Sequence, residues 1–141
     1  MRALDFLFLT RPILLLPVWT VYLLYYDYYL PGSPLESAVL LDLAALSLIM
    51  AAAYIINQIY DIESDRLNNK LGFFNPPVEL TIRQGWLAFA LLNCSALAYA
   101  TFARMELLLP LGVIALAGIL YSAPPVRAKD RPLPGLLFNA L

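Results

Sequence analysis

A chain of 141 residues that is 62% hydrophobic and only 13% charged is far from an ordinary soluble domain, in which about 25% of residues are charged. Its formal net charge of −1 excludes the bulk polybasic attraction of a nucleic-acid binder, and its single cysteine excludes an internal disulfide framework. The composition is that of an integral membrane protein.

Four stretches suffice to cross a bilayer core, which takes roughly 17–25 residues each: 13–30, 38–60, 85–103 and 106–123. Before the first, Asp5 interrupts the early apolar run and no small-residue cleavage site follows, so a retained span is expected rather than a signal peptide. On that span Tyr22, Tyr25, Tyr26 and Tyr29 recur at helical spacing beside Asp27, as an interfacial aromatic belt would. Tyr22 and Trp19 alone remain as candidates to line an interior chamber. Pro31-Gly-Ser-Pro34 breaks the chain, and Ser33 or Ser37 is expected to cap the second span. Asp42, near its start, is expected to be hydrated, as is Asp27.

Asn75-Pro-Pro77 interrupts the next loop, and Thr81 is expected to cap the third span, where Cys94 reads as a small packing residue. Consecutive prolines in Tyr121-Ser-Ala-Pro-Pro125 end the fourth span. Residues 136–141 read as the opening of a fifth. The expected fold is all-α: one polytopic transmembrane bundle over 1–141, about four spans plus the start of a fifth. Arg2, Arg11, Arg66, Lys70, Arg83, Arg127, Lys129 and Arg131 fall on one side of this layout and only Arg104 on the other. The positive-inside rule then makes the N-terminus and the loops after spans two and four cytoplasmic.

The segment Asn57-Gln-Ile-Tyr-Asp61-Ile-Glu-Ser-Asp65 carries most of the functional information. Asn57, Asp61 and Asp65 stand at i, i+4 and i+8 and share one helix face, with Glu63 directed elsewhere. Carboxylates at the end of an apolar run are costly, and near a helix C-terminus they also oppose the dipole. A row of carboxamide and carboxylate oxygens suits a hard cation such as Mg²⁺, which in turn can hold a diphosphate. Tyr54, one turn earlier, is placed to line a substrate pocket.

Residues 56–70 resemble the first aspartate-rich motif of the UbiA-type intramembrane prenyltransferases and their neighbourhood. Arg11-Pro12 is similar to that family's opening, and Tyr121-Ser-Ala-Pro-Pro-Val-Arg-Ala-Lys129 resembles its loop after the fourth span. The resemblance covers the N-terminal half of a typical member. It implies Mg²⁺-dependent transfer of a prenyl group from a prenyl diphosphate to an aromatic or other lipophilic acceptor, at a site on the cytoplasmic side. It gives Asn57, Asp61 and Asp65 as metal ligands, and Arg11, Tyr121 and Lys129 as contacts of the diphosphate. Lys70 and Arg127 are added as binding candidates on charge and side alone.

The chain departs from the family pattern at Gln58, where many members carry Asp, and lacks the family's second acidic motif, since Glu79, Glu106 and Asp130 stand alone. The Pro132-Leu-Pro-Gly135 tract reads as a loop. Two other classes are weighed. A divalent-ion channel or transporter fragment would place its acids near the midplane of several spans, not at one helix end. A non-catalytic membrane subunit or truncated relic, or a site completed by a second chain or a missing C-terminal half, would fit the single acidic motif.

Overall fold

A computed structural model of the chain describes residues 7–32, 34–68 and 80–140, the last four of these by their backbone alone. Ser33, Lys70 and the Asn75-Pro-Pro77 break therefore lie outside the described residues. Within them the chain is all-helical: α1 (Leu16–Tyr29), α2 (Ser37–Leu67), α3 (Ile82–Ala103), α4 (Leu108–Ser122) and α5 (Pro132–Ala140), with short 3₁₀ turns at Pro12–Leu15, Met105–Leu107 and Ala128–Asp130.

Among the described residues three helical runs are long and apolar enough to cross a membrane: Ser37–Leu67, Ile82–Ala103 and Met105–Ser122. The first expected span is not among them. Pro12 opens a 3₁₀ turn, and the α-helix that follows has 14 residues, about 21 Å against a hydrocarbon core of about 30 Å. Its outer half carries the tyrosines and Asp27, which lower its apolar character. Tyr25, Tyr28 and Tyr29 are exposed, and the Tyr29 ring meets Tyr25 tilted and Tyr28 edge-on.

The long helix α2 is the axis of the fold. Its 31 residues rise about 46 Å, so a helix that enters an apolar layer at Ser37 reaches Asn57 about 30 Å later, with Asp61 and Asp65 beyond. Around it, Ala45 and Ile49 of α2 pack against Ala96 and Ala100 of α3 and Leu111 of α4. The small side chains let backbones approach closely, as in membrane helix pairs generally. Gly118 marks the tightest point: a Cβ there would stand 2.8 Å from the Cβ of Ala53. A second cluster, Leu9, Ile55, Ile59 and Leu80, draws the start of the chain against the far half of α2.

The helix ends follow local chemistry. Thr81 caps α3 in a reciprocal capping box with Gln84, as its position suggested. For α2 the cap position is Glu36, with no side-chain cap bond, so Ser37 is the first helical residue and not its cap. Pro132 starts α5, where its missing N–H costs nothing, so Pro132–Gly135 is helix and not loop.

Asp42 is the clearest departure from expectation. It is not hydrated but 0% exposed. Its Oδ2 accepts from the Tyr22 hydroxyl at 2.6 Å and pairs with Arg104 Nη1 at 3.1 Å, while Oδ1 accepts from the Tyr99 hydroxyl at 2.8 Å. Arg104 Nε in turn donates to Glu106 at 2.6 Å, and that bond raises the Arg104 pKa above its ordinary value. A carboxylate can leave water when donors surround it. Tyr22 is thus engaged in a polar clamp, and Trp19 Nε1 likewise donates to Ser47 at 2.8 Å. Because α1 buries no side chain of its own, these bonds are its main attachment. Asp42→Ala is expected to destabilise the full-length protein by about 2–4 kcal/mol, read as a lowered thermal transition. Asp27→Ala, at an exposed position, should leave that transition unchanged; equal effects would mean that Asp42 is no clamp.

Candidate functional site

The polar face predicted from sequence is present near the C-terminal end of α2, and part of it is assembled with residues from α4 and the turn that follows. Helix α4 stops at Ser122 because Pro124 and Pro125 cannot continue it. Arg127 then takes a left-handed backbone conformation, φ 39° and ψ 59°, which redirects the chain into the 3₁₀ turn Ala128–Asp130. Ala128 is buried beneath this turn, and Gly135 packs so closely that a Cβ would lie 3.1 Å from the Ala128 carbonyl oxygen. Together these features aim Lys129 back at α2.

Lys129 Nζ donates to Asn57 Oδ1 at 2.9 Å and to Asp61 Oδ1. The side chain of Lys129 is only 11% exposed and that of Asp61 23%. Ser122, fully buried, donates its hydroxyl to the same Asn57 oxygen at 3.3 Å. Arg127 Nη2 lies 3.9 Å from Asp61 Oδ1, while its Nε pairs with Asp130 at 2.7 Å. Two oxygens one helical turn apart thus converge on a single cationic group.

The other sequence candidates stand apart from this cluster. Asp65 is half-buried one turn further along, and neither it nor Tyr121 has a hydrogen bond or ion pair among the described residues. Arg11 is exposed and, like Arg127, has a left-handed backbone, φ 50°. Such a conformation costs a bulky residue on the order of 1 kcal/mol or more. Tyr54 donates its hydroxyl to the Leu14 carbonyl at 3.3 Å, joining α2 to the turn before α1. Lys70 lies outside the described residues.

Two contributors escaped sequence reading. Ser122 is an ordinary small residue in an apolar run, and only its contact with Asn57 gives it a role. Gln58 is buried and donates to the Leu9 carbonyl at 2.9 Å, so it faces away from Lys129 and anchors the start of the chain. A carboxylate there would have no proton to donate to that carbonyl.

Among the described residues, no group of three or more His, Cys, Asp or Glu side chains gathers where a metal ion could sit. The donor chemistry is nevertheless right for a cation: Asn57 and Asp61 present oxygens, and a positive group already rests on them. Ions such as Mg²⁺ need only one or two protein carboxylates when substrate phosphates complete the shell.

Over 122 residues the chain is 34% identical to homogentisate phytyltransferase of Synechocystis sp. (strain ATCC 27184 / PCC 6803 / Kazusa). This chain is similar to a phytyltransferase. The matched stretch takes in 81% of the chain and 38% of that relative, so the chain spans well under half the relative's length. No family model matches the sequence, and no solved structure matches it.

Asp61 holds the Lys129 side chain, while the turn that bears it is fixed by other contacts. Asp61→Ala is therefore expected to free the Lys129 ammonium and to speed its labelling by an amine-reactive reagent several-fold, with the segment after α4 kept in place. A labelling rate equal to that of the unsubstituted protein would mean that Asp61 does not hold Lys129.

Proposed function

We propose that this chain supplies the N-terminal part of an intramembrane prenyltransferase, which moves a prenyl group from its diphosphate to an aromatic or other lipophilic acceptor. The observation that carries the reading is the convergence of Asn57 and Asp61 on the Lys129 ammonium at the end of an apolar helix. The relative's name, a phytyl transfer to homogentisate, supports the same class of reaction.

In this reading Asn57, Asp61 and Asp65 would hold Mg²⁺, whose bound charge offsets the charge that builds on a departing diphosphate. The chain's own residues do the rest. Lys129 and Arg127 present cations on the same side, where the low exposure of Lys129 strengthens their effect on an anionic leaving group. Among the described residues Arg11, which stands near Tyr54, and Tyr121 make no side-chain hydrogen bond or ion pair, and both are available to the diphosphate. Ser122 and Asp130 orient Asn57 and Arg127 respectively. The prenyl chain would lie among apolar helix faces, away from water. The excess of Lys and Arg on one side of the layout supports a cytoplasmic-facing site.

Asp61→Ala in the full-length protein is expected to lower Mg²⁺-dependent prenyl transfer by at least about a hundredfold while leaving membrane insertion intact. Transfer at the unsubstituted rate would refute this function.

A further inference from the structure

Lys129 occupies the place that the proposed function gives to a metal ion. Its ammonium bonds Asn57 Oδ1 and Asp61 Oδ1, the two oxygens that would serve as ligands, and its side chain is 11% exposed. A divalent cation on those oxygens would stand against an ammonium held by the same atoms, and the two charges repel. Both cannot stay. We infer that Lys129 is the internal counter-cation of this site, displaced when metal binds, so that metal and diphosphate bind as a coupled pair. The inference rests on the metal–diphosphate reading above and adds to it an order of preference: metal alone binds poorly.

The surroundings favour an exchange that moves the side chain only. The turn bearing Lys129 is fixed by the burial of Ala128, the Gly135 packing and the Arg127–Asp130 pair, none of which involves the ammonium. Four side-chain torsions can carry Nζ from Asp61 toward a phosphate oxygen without refolding the turn. A diphosphate supplies the alternative partner, so its arrival removes both the competitor for the ligands and the repulsion. Arg127 does not fill the vacated place, since its guanidinium is paired with Asp130 and stops 3.9 Å from Asp61 Oδ1. By reciprocity, metal then raises diphosphate affinity by the same factor.

The test is a Mn²⁺ titration of the full-length protein in nanodiscs, read from the electron paramagnetic resonance signal of free Mn²⁺, with no turnover involved. Without a diphosphate, Lys129→Met should bind Mn²⁺ about tenfold more tightly than the unsubstituted protein, a typical coupling factor. Lys129→Gln, which keeps a polar end, should do the same and guards against a folding defect in the first variant. Lys129→Arg, which keeps the charge, should stay at the unsubstituted affinity. A prenyl thiolodiphosphate should tighten Mn²⁺ binding to the unsubstituted protein but give little further gain in Lys129→Met. Unchanged Mn²⁺ affinity in both neutral variants, with Mn²⁺ binding lost in Asp61→Ala, would overturn the displacement and leave the metal site standing. No Mn²⁺ binding to any variant, with or without the thiolodiphosphate, would overturn both.

Discussion

A carboxylate at the boundary of an apolar helix must be met by donors, and the described fold is organised around two that are. Asp42 and Asp61 lie on α2, the helix against which α1, α3 and α4 assemble. Asp42 gathers Tyr22 from α1, Tyr99 from α3 and Arg104 from the bend between α3 and α4. Asp61 gathers Lys129 and Arg127 from the turn after α4. Remove the donors and each carboxylate would bear a large desolvation cost. With them in place, apolar helices that offer little directional information are locked in register.

The two ends nonetheless differ in kind. Asp42 is sealed, with three donors and no exposure, and its chemistry is spent on holding helices together. Asp61 keeps 23% of its side chain exposed, pairs with a flexible lysine, and has one turn away an Asp65 with no pair among the described residues. The sealed end is the kind of site that builds a fold. The open end is the kind that can exchange one cation for another. That contrast, more than the presence of acidic residues, places the proposed chemistry at Asn57–Asp61.

Much of this was legible in the residues. Uninterrupted apolar runs set α2, α3 and α4, the double proline set the end of α4, and Thr81 with Gln84 set the start of α3. The i, i+4 spacing put Asn57 and Asp61 on one face, whereas Lys129 was expected only as a diphosphate contact, from the family resemblance, and its bonds to those two residues emerge from the fold. What stayed hidden depends on long-range geometry. Nothing local separates a wet Asp42 from a buried one whose donors sit 20 and 57 positions away. Ser122 and Gln58 likewise gain their roles only from neighbours distant in the chain. For the first apolar stretch the described α-helix has 14 residues after a 3₁₀ turn, shorter than the span read from its hydrophobic content.

The most direct measurement is equilibrium binding of a prenyl thiolodiphosphate, which cannot readily ionise, to the full-length protein in nanodiscs. Saturable binding that requires Mg²⁺ and is lost on chelation is the result this account predicts. Binding indifferent to Mg²⁺, or no binding at all, would contradict it.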